Sequence, residues 1–199
     1  MKSYRVIESG APLMECELDI PTPKNNEVLI RTIACGVCHT DIHIHDGFFD
    51  VGNGKKMASR LKEPLTMGHE IFGEVVAIGN GVKDVEIGKK FVVYPWIGCG
   101  ECKSCIEDNE HECGPLTAQN LGVSVDGGYG EFVLVKDSKF LFDSGDISDE
   151  LAWCYVCRRL PAYIALKKAN PKPHDKNLVI ISAGGLRLLS VKIALAAFN

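Results

Sequence analysis

The sequence predicts a mainly β domain followed by the opening of an α/β unit. Two observations carry this. Short β-branched runs separated by Gly and Pro fill residues 1–150, and from residue 148 the apolar period changes to a helical one and then to strand–turn–helix. In the first part, residues 27–34 form a β-branched run behind Pro21 and Pro23. Residues 70–79 form another, closed by Gly79-Asn80-Gly81. Residues 90–94 stop at Pro95, and residues 129–135 follow Gly127-Gly128. Strands of this length and punctuation suggest a barrel or a sandwich.

In the second part, residues 148–168 carry apolar positions at helical spacing, with Leu151 expected on the buried face. Asn170-Pro171-Lys172-Pro173 breaks that run. Residues 178–181 read as a continuous apolar strand of the kind buried in parallel sheets. Gly184-Gly185 and a helical run over residues 186–198 follow. A complete strand–helix–strand unit needs about 30 or more residues, so the second strand is expected to be missing before Asn199.

The 199 residues are 46% apolar and 24% charged, enough to bury a core, and the net charge of -4 excludes the basic footprint of a nucleic-acid binder. No run approaches the ~18 apolar residues of a membrane span. Residues 1–8 lack the apolar core of a secretory signal, so a cytoplasmic protein is expected. Nine cysteines, an odd number, then favour metal over disulfides.

Four of them, Cys99, Cys102, Cys105 and Cys113, lie close together. Two residues separate each of the first three, and seven separate the last pair. Thiolates so spaced converge on one cation and close a tetrahedral structural site, for which zinc is preferred. An iron–sulfur cluster is the rival. Bacterial ferredoxins use similar spacing but place Pro directly after the fourth Cys, whereas Gly114 intervenes before Pro115 here. His111 is read as a surface histidine. A second, wider grouping joins Cys38, His69 and either Cys154 or Cys157. Two thiolates and one imidazole leave a fourth position open, as a catalytic zinc requires.

Gly36-Val37-Cys38-His39-Thr40-Asp41, Gly68-His69-Glu70, the four-cysteine lobe and Gly127-Gly128-Tyr129-Gly130-Glu131-Phe132 occur in this order. Together they resemble the zinc-containing medium-chain alcohol dehydrogenases, over nearly the whole chain. The resemblance implies a mainly β GroES-like barrel domain with a zinc lobe over 1–150. A linking helix and a partial α/β Rossmann segment would occupy 151–199. It makes Cys38 and His69 zinc ligands, selects Cys157 as the third because Tyr163 follows it by six residues, and places Glu70 beside the metal. It implies two zinc ions per chain, NAD or NADP, a small alcohol or aldehyde substrate, and a homo-oligomer in the full-length family. Asp41 would orient the ligand histidine, Thr40 would contact the substrate oxygen, His43 would end a proton relay, and Trp96 would face the substrate.

The sequence departs from that pattern near its end. Where the family has Gly-x-Gly-Gly-x-Gly, this chain has Ser182-Ala183-Gly184-Gly185-Leu186-Arg187. Gly184, Gly185 and Leu186 remain as the cofactor-binding candidates, while Ser182 and Arg187 replace the tight-turn and close-packing glycines. Arg158 and Arg159 follow Cys157 where the family has small residues, and Pro161 must fall in the first turn of its helix. Strands that the family adds to this domain from later in its sequence are absent, so an unpaired sheet edge is expected. A non-catalytic zinc-binding remnant therefore stands beside the enzyme reading.

Overall fold

The computed structural model describes residues 1–59, 64–114, 116–172, 174–182 and 184–197. Pro115, Pro173, Ala183 and Phe198 of the readings above lie outside the described residues. The chain divides into two compact units, Met1–Trp153 and Cys154–Asn199.

The first unit is built on a five-stranded antiparallel sheet. Its strands are β3 (Val28–Gly36), β7 (Glu70–Ile78), β8 (Lys90–Val93), β9 (Phe132–Val135) and β10 (Leu141–Phe142), in the order β10-β8-β7-β3-β9. A smaller sheet joins β1 (Lys2–Val6), β2 (Met14–Glu17) and β6 (Leu65–Thr66), and β4 (Phe48–Asp50) pairs with β5 (Lys56–Ala58). Helix α1 (His39–His45) follows β3 directly, and α2 (Lys103–Ile106) is a single turn within the four-cysteine segment. Alternation along β3 and β7 turns Val28, Ile30, Ile71 and Val75 into one core with Val93 and Val133. A second cluster of Val6, Ile44, Leu65 and Met67 seats α1 on the smaller sheet.

The mainly β expectation holds, but the sheets do not close into a barrel. The connection between them is residues 129–131, expected as the start of a strand. These residues bridge instead: the Tyr4 N–H donates to the Tyr129 carbonyl and the Thr32 N–H to the Glu131 carbonyl, at 2.8 and 2.9 Å. Gly130 forms only an isolated pair with Ser3, so the segment passes from one sheet to the other before β9 begins.

The helical run from 148 is also divided. It becomes α3 (Asp149–Ala152), a 3₁₀ turn (Trp153–Tyr155) and, in the second unit, α4 (Arg159–Ala169). Because α3 lasts a single turn, its phase is set by Ala152, which is fully buried, and Leu151 is 54% exposed rather than buried. Pro161 does fall in the first turn of α4, and Asn170 ends that helix at a left-handed φ of 48°. Within the second unit α4 packs on α5 (Gly185–Ala197).

Residues 178–181 form no strand, and Val179 and Ile181 are 77% and 83% exposed. A parallel strand is stabilised by the strands beside it, and none of the described strands pairs with this segment. Among the described residues, no helix is long and apolar enough to cross a membrane.

Candidate functional site

The register of the large sheet creates the central site. Gly36, the last residue of β3, pairs with Glu70, the first of β7. Cys38 lies two residues beyond one end and His69 one residue before the other, so the pairing brings them together. The ligand atoms of Cys38, His69 and Glu70 lie within 4.8 Å of one another. His69 and Glu70 are fully buried and Cys38 is half-buried.

Asp41, 2% exposed, organises this group. Its Oδ1 accepts the Nδ1–H of His69 at 3.1 Å. Its Oδ2 accepts the Cys38 N–H at 2.8 Å, which caps α1, and the Tyr129 hydroxyl at 3.2 Å. With Nδ1 as the donor, Nε2 of His69 carries the lone pair. That atom is buried and makes no hydrogen bond among the described residues, which fits an imidazole presented to a metal ion. Burial lowers the His69 pKa, but the bond to the Asp41 carboxylate and the charge of the adjacent Cys38 sulfur outweigh it and raise the imidazole to about 9. A metal at Nε2 competes with that proton. Burial first, and then the Asp41 charge, raise both the Tyr129 phenol and the nearby Cys35 thiol, so both keep their protons.

Two glycines permit the close approach. A Cβ on Gly36 would lie 2.1 Å from Glu70 Oε2 and 2.3 Å from the Trp153 ring. Gly68 has a φ of 91°, and a Cβ there would lie 2.5 Å from Tyr129. Trp96 sits against His69, ring centroids 5.4 Å apart. Thr40 and His43 are half-buried on α1. The His43 ring lies between those of His39 and Phe49, at 4.7 and 5.2 Å. His45 is structural: its Nε2 pairs with the Ala11 carbonyl at 2.8 Å and holds the N-terminal loop against the helix.

The lobe gathers Cys99, Cys102, Cys105 and Cys113, whose sulfurs also lie within 4.8 Å of one another. The sulfurs of Cys102 and Cys105 are 3.4 Å apart, and those of Cys99 and Cys105 and of Cys102 and Cys113 are 3.9 Å apart. Four sulfurs around zinc at ~2.3 Å would be about 3.8 Å apart, whereas a disulfide would bring two to about 2.0 Å. None of the nine cysteines, all among the described residues, is disulfide-bonded.

Backbone N–H groups of Glu101 and Cys102 point at the Cys99 sulfur, at 3.4 and 3.3 Å, and hold its thiol down at about 6. The Gly100 N–H lowers Cys105, but burial and the neighbouring thiols push it up to about 12. The cluster thus carries negative charge that a cation would balance. His111 stays outside it, 56% exposed.

Sequence reasoning missed what fastens the lobe. The Lys136 ammonium donates to the Cys99 and Gly98 carbonyls at 3.1 and 3.5 Å. Glu110 accepts the Gly98 N–H at 3.0 Å and pairs with Lys139. A lysine next to a strand carries no signal for this. Tyr129 stood inside a recognised motif, and only the fold reveals its bond to Asp41.

In the second unit, Cys157 lies in the turn before α4. Gly185 and Leu186 open α5, and Gly184 has open space around its α-carbon. Ser182 holds a φ of 87°, a left-handed conformation that suits the glycine it replaces. Arg187 is the third residue of α5.

Residues 24–144 match the family model of the alcohol dehydrogenase GroES-like domain. The NAD-dependent alcohol dehydrogenase of Sulfurisphaera tokodaii is 38% identical over 198 residues, 98% of this chain and 56% of that protein. The L-threonine 3-dehydrogenase of Pyrococcus horikoshii is 34% identical over 189 residues, 94% and 50%. Among solved structures, acetophenone reductase from Geotrichum candidum in complex with NAD superposes with a TM-score of 0.82 at 32% identity, covering 98% of this chain and 55% of that one. The chain spans about half the length of the curated relatives it matches. With a family model matched over more than half its residues, the chain belongs to the family of the alcohol dehydrogenase GroES-like domain.

Proposed function

We propose that this chain supplies the zinc-holding half of an NAD(P)-dependent alcohol dehydrogenase acting on a small alcohol or the matching aldehyde or ketone. The observation that carries the proposal is His69: buried, fixed by Asp41 through Nδ1, with Nε2 making no hydrogen bond beside Cys38 and Glu70. These donors fit zinc, and Cys157 is proposed as the further thiolate, by its match to the family pattern. The lobe cysteines are proposed to hold a second, structural zinc. A zinc ion at the first site supplies Lewis acidity that eases loss of an alcohol proton. Thr40 then takes that proton at its hydroxyl and passes it to His43, while Asp41 keeps His69 in the required tautomer.

The assignment of 1–150 to the catalytic domain and 151–199 to a linker and the start of a dinucleotide-binding domain belongs to the same proposal. So does assembly as a homo-oligomer in the cytoplasm. The described residues do not themselves fit a dinucleotide. Residues 178–181 form no strand, and only Gly184, Gly185 and Leu186 remain of the phosphate-binding turn. That observation favours a second reading, a protein that holds zinc and binds no dinucleotide.

Elemental analysis of the purified chain for zinc and iron tests the proposal. About two zinc ions per chain are expected, one for each ligand set, and His69→Ala should lose one while staying folded by circular dichroism. One zinc in the parent chain, full retention in His69→Ala, or iron in place of zinc would overturn it. Quenching of NADH fluorescence separates the two readings: saturable binding supports the enzyme, and its absence supports the zinc-only protein.

A further inference from the structure

We infer that His39 and His43 form an additional metal site, open to solvent and suited to a divalent transition ion such as Ni²⁺ or Cu²⁺. The two residues stand at i and i+4 on α1, so they share one face of the helix. It is the outer face, because Asp41 and Ile44 are the buried residues of α1. His39 is exposed and His43 half-buried. Neither belongs to the ligand cluster around His69 or to the lobe.

The ring geometry agrees with chelation. The centroids are 4.7 Å apart and the planes are tilted by 45°, so the rings are not stacked face to face. Two imidazoles bound to one ion at ~2.05 Å place their centroids about 4.5 Å apart for a 90° angle at the metal, and about 5.2 Å for a tetrahedral angle. The observed 4.7 Å lies between these two values, within reach of one ion, and an imidazole pair suits Ni²⁺ and Cu²⁺. Phe49, 5.2 Å from His43, holds that ring in place, which reduces the ordering cost of binding. Water would complete the coordination. On the proposed function, an ion here would also take the nitrogen that His43 needs for its proton. That consequence rests on the enzyme reading, and the binding does not.

Nickel titration of the purified chain, with zinc content measured before and after, tests the site. One Ni²⁺ per chain is expected, with no zinc released. His39→Ala should weaken binding about 100-fold or more, the lower end of the gain from joining two ligands. His111→Ala, at a single exposed histidine, should leave it unchanged. Unchanged affinity in His39→Ala, an equal loss in His111→Ala, or zinc release on adding nickel would overturn the inference. Paramagnetic broadening in the unmodified chain needs no variant. Loss of the ring signals of both His39 and His43 is expected, and broadening confined to one of them or to other histidines would contradict the site.

Discussion

Asp41→Asn should separate the folding role of this carboxylate from its role toward metal. The parent Oδ2 accepts two donors, the Cys38 N–H and the Tyr129 hydroxyl, and Oδ1 accepts one from His69. An asparagine has one acceptor oxygen and one NH₂ donor. Its oxygen belongs where two donors already converge, which keeps the cap on α1 and the bond to Tyr129. The NH₂ then faces His69 Nδ1, which must accept rather than donate, and the tautomer flips so that Nε2 carries hydrogen.

A ligand nitrogen that carries hydrogen cannot bind metal. Loss of such an orienting partner lowers metal affinity by about 10- to 100-fold, or about 1.4 to 2.8 kcal/mol. The fold should lose less, about 1–2 kcal/mol for one exchanged buried hydrogen bond. Asp41→Ala removes all three bonds at a site 2% exposed. The cap contributes about 1 kcal/mol, the charged bond to His69 about 1.5–3 and the bond to Tyr129 about 1, so a loss near 4 kcal/mol is expected. Urea unfolding reads the first quantity, and competition with a chromogenic zinc chelator reads the second. An Asp41→Asn chain that keeps its weaker zinc with parental affinity would refute the tautomer argument.

Gly36→Ala should cost about 3 kcal/mol or more, because its Cβ would meet Glu70 Oε2 and Trp153 well inside contact distance. Gly184→Ala, in open space, should stay within about 0.5 kcal/mol, and equal losses in urea unfolding would contradict the packing argument. Lys136→Met withdraws the ammonium from the Cys99 and Gly98 carbonyls. Lobe zinc should then pass to a chelator several-fold faster, with Lys136→Arg restoring part of the difference; identical release rates would show that the lysine does not fasten the lobe. Ser182→Gly should stabilise the second unit by about 1 kcal/mol by relieving its left-handed φ, read as slower hydrogen exchange along α5. Unchanged exchange would show that no strain is held there.

The parts of this molecule that the sequence made legible are those whose determinants are local. The spacing of Cys99, Cys102 and Cys105 brings their sulfurs together through one short turn, so it could be read without knowing the fold. Cys38 and His69 could not be joined that way. Thirty-one positions apart in the sequence, they meet because Gly36 pairs with Glu70 across two strands, and spacing alone says nothing of that register. Resemblance to a family supplied it instead.

The differences from the sequence follow the same rule. One continuous helix would bury Leu151, and the break after Ala152 changes the phase. Residues 178–181 have the composition of a buried strand, but composition only makes a segment able to join a sheet. The neighbouring strands decide whether it does, and none of the described strands reaches it. An apolar run exposed at 77% and 83% on two of its four side chains is therefore a strand sequence without a sheet. For the same reason Gly184, Gly185 and Leu186 identify where a phosphate-binding turn would stand without making one: a turn of that kind is held between a paired strand and its helix, and here only the helix is formed.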